Sequence, residues 1–118
     1  MTTSVQEGPA IVIGYTYRLR LAAASALFPD GVQLTAQIRT SVDADSVLAV
    51  LSTQAGGLVR VSDTGLDLEI PASVTATLAV GSVVLDAVRT DTDPELHLGF
   101  TLEIPVVMPV TRGLGHDG

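Results

Sequence analysis

Two histidines, thirteen carboxylates and a glycine-rich C-terminal stretch are the groups of this 118-residue chain with types suited to chemistry. A Ser/His/Asp triad needs a histidine that can take a proton from a nucleophile. His97 occupies a polar position of an alternating stretch, and the chain has no Gly-x-Ser-x-Gly elbow, so a solvated strand histidine is expected. His116 belongs to Gly113-Leu114-Gly115-His116-Asp117-Gly118, which matches Gly-x-Gly-x-x-Gly letter for letter. That fingerprint holds a dinucleotide only between a strand and a helix N-terminus. No helix follows here, so a tail or partner-binding arm is the expectation.

The carboxylates pair up at turns, Asp43 with Asp45 and Asp91 with Asp93. Calcium takes six to eight oxygens, and aspartate is favoured in turns for hydrogen-bonding its own backbone. Glu69, Glu95 and Glu103 fall on outward strand positions, whereas glycoside hydrolysis needs two carboxyl groups facing each other. With no cysteine, the chain has neither disulfide nor thiolate zinc chemistry. Sugar stacking draws on exposed aromatics. This chain has two Tyr, two Phe and no Trp, and Tyr15 and Tyr17 are assigned to the apolar face. No catalytic, cofactor-binding or metal-ligating residue is therefore expected, and no cofactor. Six Arg and no Lys against thirteen Asp and Glu give a net charge of -7, which argues against nucleic acid as a partner. Met1 to Ala10 carry no basic residue, and the apolar run Ile11 to Ile13 is too short for a signal core or a membrane span. A soluble protein made in the cytoplasm, with no membrane partner, is expected.

The elements that would position these groups read as strands. Tyr15, Tyr17, Leu19 and Leu21 alternate with Thr16, Arg18 and Arg20, a period of two with one buried face. Phe28-Pro29-Asp30-Gly31 is a turn leading to a hairpin or tight connection. Val32, Leu34, Ala36 and Ile38 then alternate with polar residues. Ser46 to Ser52 reads as a short strand buried on both sides. Leu58–Val61 and Leu66–Ile70 flank Asp63-Thr64-Gly65, a hairpin with Gly65 in the left-handed position. Ala72 to Leu78 predicts a single helical turn crossing between sheets. Val83, Leu85 and Ala87 share a face, and Leu96, Leu98, Phe100, Leu102 and Ile104 form the longest alternation of the chain. About seven such strands predict an all-β, immunoglobulin-like antiparallel sandwich. A small barrel is the alternative.

The expected division is an N-terminal arm at 1–13, the sandwich at 14–104 and a C-terminal arm at 105–118. The second arm opens with Pro105, Val106, Val107, Met108, Pro109 and Val110, followed by Thr111 and Arg112. This apolar, proline-punctuated stretch fits poorly in a central strand and poorly in water. It reads either as an edge strand folded back on its own domain or as an arm that docks on a partner through these residues, Arg112 included.

The chain runs through Gly14-Tyr15-Thr16-Tyr17-Arg18-Leu19, a Pro-Asp-Gly turn, Leu34-Thr35-Ala36-Gln37-Ile38-Arg39 and Gly56-Gly57-Leu58-Val59. It continues with Leu68-Glu69-Ile70-Pro71-Ala72, Thr75-Ala76-Thr77-Leu78, a strand from Gly81 to Asp86, and Pro109-Val110-Thr111-Arg112. In this order the chain resembles, over residues 14 to 112, the small immunoglobulin-like domains of tailed-phage virions. These occur in collar, fibre-attachment, baseplate and capsid-decoration proteins. The resemblance implies a non-enzymatic virion component that docks on capsid, neck or tail proteins as a decoration or adaptor, with a homo-oligomer as the expected state. The competing reading is a stand-alone module that binds carbohydrate or calcium.

Overall fold

A computed structural model of the chain describes residues 10–111. Eight strands and one helical turn follow in the order β1 (Ile11–Val12), β2 (Tyr17–Ala22), β3 (Leu34–Arg39), β4 (Ala49–Ser52), β5 (Leu58–Ser62), β6 (Gly65–Ile70), α1 (Ala72–Thr75), β7 (Gly81–Arg89) and β8 (Leu96–Val107). They build a five-stranded sheet in the order β1-β8-β7-β3-β4 and a three-stranded sheet in the order β2-β6-β5. All pairs are antiparallel except β1 with β8. The expected all-β sandwich is present, and α1 is the expected single turn leading from one sheet to the other.

Alternation sets which face is buried. Every second residue of β8 from Leu98 to Val106 is buried and the residues between are exposed, as the pleat requires. Leu34, Ala36 and Ile38 of β3 meet Val83, Leu85 and Ala87 of β7 and Leu58, Leu66, Leu68 and Ile70 of the smaller sheet in a single apolar cluster.

Several expectations are corrected. Tyr15 precedes β2 and is 40% exposed, so the buried face starts at Tyr17. The Pro29–Gly31 turn forms, with the Val32 N–H donating to the Pro29 carbonyl at 3.0 Å and Gly31 at φ +82°. It makes no hairpin, because β2 and β3 lie in different sheets and the connection crosses between them. The strand at Ser46–Ser52 shortens to β4, an edge strand with Val50 56% exposed, because among the described strands it pairs with β3 alone. The β5–β6 hairpin is present, but Gly65 has no left-handed φ and opens β6 instead. A Cβ there would stand 3.1 Å from the Ser62 Oγ, so close packing is what glycine supplies.

The sheet also reaches beyond the expected 14–104 limits at both ends. Ile11 pairs with Val106 and Val12 with Val107, and Ile11 and Val106 are both buried. Pro105 lies inside β8, opposite Ser82 of β7. The Ile13 N–H donates to the Val107 carbonyl at 3.0 Å, so Val107, Pro105, Glu103 and Thr101 turn their main-chain groups to the β1 side and the residues between them turn theirs to β7. The N–H that proline lacks would face away from β7, and the ladder between β7 and β8 loses nothing.

Candidate docking surface

The segment after β8 is shaped by what it lies beside. α1 is followed by Ala76 and begins after Pro71, and its Thr75 is fully buried. The Thr75 hydroxyl accepts the Gly14 N–H at 3.1 Å and donates to the Tyr15 carbonyl at 2.8 Å. Gly14, at φ +88°, turns the chain there from β1 towards β2. This pins Tyr15 on the surface next to the end of β8. Between them runs an open groove of about 470 Å³, whose walls include Val12, Tyr15, Tyr17, Pro109 and Val110. Tyr17 is 5% exposed, and its hydroxyl has no hydrogen-bond partner among the described residues. Burial pushes its pKa above the usual tyrosine value.

The structure divides the expected docking residues. Pro105 and Val106 belong to the sheet, and Val106 is 1% exposed, so the sandwich itself uses it. Val107, Met108 and Val110 are 39%, 50% and 94% exposed, and of these Val110 lines the groove with Tyr15. Pro109 is half-buried at the groove. Arg112 lies outside the described residues, as do His116 and the terminal glycine motif. The contribution of Val12, Tyr15, Tyr17 and Thr75 had no sequence signal, since a parallel pairing between residues so far apart leaves no local pattern.

The candidates for chemistry are internally engaged. His97 faces Asp86 across the sheet, Nε2 to Oδ2 at 2.7 Å, while the Gly99 N–H donates to Nδ1 at 2.8 Å. An Nδ1 that accepts leaves the neutral ring's proton on Nε2, where it is donated to Asp86. Neither nitrogen has a lone pair left for a nucleophile's proton. Gly99 reaches this position through a bulge in which Leu98, Gly99 and Phe100 stand opposite Ala87, with Gly99 at φ +86°.

Asp63, Asp67, Glu69 and Asp91 are each paired with an arginine. Arg39 donates to the carbonyls of Ala44 and Asp45, so the Asp43–Asp45 loop is wrapped around a cation of its own. Asp91 accepts two bonds from Arg89, at 3.1 and 2.8 Å, which hold its carboxyl below the usual range. Arg60 is paired with Asp63 and also donates to the Phe28 carbonyl. On the outer face of the small sheet Arg18 meets Glu69 at 2.7 Å and Arg20 meets Asp67 through two bonds, so a broad depression there is lined by mutually neutralised charges. Among the described residues no three His, Asp or Glu side chains gather as a metal site would require. Of the aromatics, Tyr17, Phe28 and Phe100 are buried, which leaves Tyr15 as the exposed ring.

No family model and no curated protein sequence matches the chain.

Proposed function

We propose that this protein is a non-enzymatic structural component of a tailed-phage virion, an immunoglobulin-like sandwich that docks on capsid, neck or tail proteins as a decoration or adaptor. The observation that carries the docking reading is the exposure of Val107, Met108 and Val110 within one short segment, whose Val110 lines the groove with Tyr15. Contiguous apolar surface of this kind marks interaction sites. The virion assignment rests on the family resemblance of the chain's ordered segments. Closed ion pairs and a histidine with both nitrogens occupied fit a protein whose task is binding. An acidic, lysine-free exterior fits a component that must not adhere to packaged DNA.

A few apolar side chains contribute several kcal/mol at about 25 cal/mol per Å², offset by the cost of association. Attachment therefore draws on many copies or a closed ring. The test removes Met108–Gly118 and leaves β8 whole, with thermal melting and particle occupancy as the readouts. The expected result is a folded domain that no longer incorporates. Full incorporation of the truncated protein would place docking elsewhere and defeat this reading.

A further inference from the structure

His97 is held by two bonds that answer a proton in opposite ways. Its Nε2–H donates to Asp86 Oδ2 at 2.7 Å, and its Nδ1 accepts the Gly99 N–H at 2.8 Å. Both side chains are half-exposed, so solvent supplies and removes protons there. Imidazole is the side chain that ordinarily changes charge between about pH 5 and 8. The incoming proton goes to Nδ1, since Nε2 already carries one. Nδ1 then becomes a donor, and two N–H groups face each other where one bond stood. The contact with Asp86 meanwhile strengthens, because a cation now donates to a carboxylate. The stronger contact keeps the ring on Asp86, and the Gly99 N–H is the group that leaves.

What leaves with it is the closure of a bulge. Leu98, Gly99 and Phe100 stand opposite Ala87 alone, between the pairs Val88–His97 and Asp86–Thr101. A bulge takes main-chain groups out of the ladder, and here the imidazole stands in for a strand partner to the Gly99 N–H. Gly99 has open space around it. Leu98 and Phe100 on either side are buried in the core, which confines the movement to the bulge.

The charged groups around the ring come from three strands. On the outer face of β7 the positions flanking Asp86 are Val84 and Val88, and Arg89, opposite Leu96, is bonded to Asp91. On β3, beyond β7, the same face carries Thr35, Gln37 and Arg39, and Arg39 is bonded to Gln37 and to the carbonyls of Ala44 and Asp45. β8 and its approach add Glu95 and Glu103, the latter opposite Val84. β1 meets β8 at Val106 and Val107, far from the bulge. Asp86 is the carboxylate in contact with the ring.

We propose that His97 is a proton-operated latch on the β8 bulge: neutral, it holds the Gly99 N–H and keeps the bulge closed, and protonated, it stays on Asp86 and releases Gly99. The inference does not depend on the virion reading or on the groove at Val110.

Nuclear magnetic resonance of the nitrogen-15-labelled full chain, from mildly alkaline to mildly acidic pH, tests it. On the alkaline side the ring nitrogen shifts show the Nε2–H form, and a scalar coupling across the hydrogen bond joins the Gly99 nitrogen to Nδ1. As the ring takes up its proton that coupling disappears, and the Gly99 amide loses about tenfold of its protection from hydrogen exchange, the scale of one net hydrogen bond, with the midpoint of the ring titration. The Leu102 amide, in the β7–β8 ladder, keeps its protection throughout. His97→Leu removes the acceptor, so Gly99 protection is low at every pH; if that variant unfolds, the wild-type titration still decides. An Nδ1–H ring on the alkaline side overturns the proposal, as does a coupling or a Gly99 protection that does not follow the ring. Loss of Leu102 protection together with that of Gly99 also overturns it, since the event is then a general acid loosening of the sheet.

Discussion

At the scale of single residues, Thr75 shows how one side chain holds a surface in place. It is the one polar residue in the buried set among the described residues, and it serves Gly14 and Tyr15 of the β1–β2 link at once. Thr75→Val keeps the shape and removes the buried hydroxyl that accepts from Gly14 and donates to Tyr15, which costs on the order of 1–3 kcal/mol. Thr77→Val, at an exposed hydroxyl bonded to Val74, costs under about 0.5 kcal/mol. Chemical denaturation of the two variants distinguishes them. Asp67 carries a pH dependence of definite sign. Its hydrogen bonds from Arg20 hold its carboxyl below the usual aspartate value. A folded pKa below the unfolded one adds stability that is present above roughly pH 4 and is lost as pH falls through the depressed value. Because the pair is exposed, the contribution is small and weakens in salt. Asp67→Asn should therefore flatten part of the acid limb of a melting-temperature profile and leave its neutral plateau nearly unchanged. An acid limb identical to wild type would remove Asp67 from the account.

At the scale of elements, the connections between sheets are where backbone geometry is most constrained. The β4–β5 corner closes through reciprocal main-chain bonds between Ser52 and Gly56, at 2.9 and 3.0 Å. Gly57 follows at φ +96°, and a Cβ there would sit 2.6 Å from Cδ2 of the buried Leu51. Gly31 has a similar φ of +82° but open space around it. Gly31→Ala should cost about 1–2 kcal/mol of backbone strain, and Gly57→Ala should cost more, since it adds roughly 1–3 kcal/mol of overpacking to the same strain. Equal losses in urea denaturation would show that Leu51 yields freely. Elements also explain why Pro105 misleads. A proline opposes a strand only when its missing N–H faces a partner, and its sequence does not say which edge it faces.

At the scale of the whole molecule, one apolar cluster joins both sheets. Leu34, Ile38, Leu85, Leu98 and Phe100 all belong to it, although they come from three strands spread over much of the chain. Truncating any of them to alanine should cost on the order of 2–5 kcal/mol. Gln37→Ala, on the outer face of the same strand as Ile38, should cost under about 1 kcal/mol. Melting experiments on the set check this, and similar losses on the two faces would contradict a single shared interior.

The sequence by itself determined the pleat. Each strand with one wet face is written as a period of two, because a slip by one residue would turn its whole apolar set to water. That made β2, β3, β7 and β8 legible, together with the turn at Gly31 and the brevity of α1. It also determined that His97 sits on a polar face. What it left open were the relations between strands. Whether β2 and β3 form a hairpin or cross between sheets, whether β4 is central or at an edge, and whether Pro105 enters the sheet all depend on which strand lies alongside. Partner choice is made by long-range burial, which leaves no mark within a local window. The tertiary structure alone placed Tyr15 beside Val110 and gave both nitrogens of His97 partners through the Gly99 bulge.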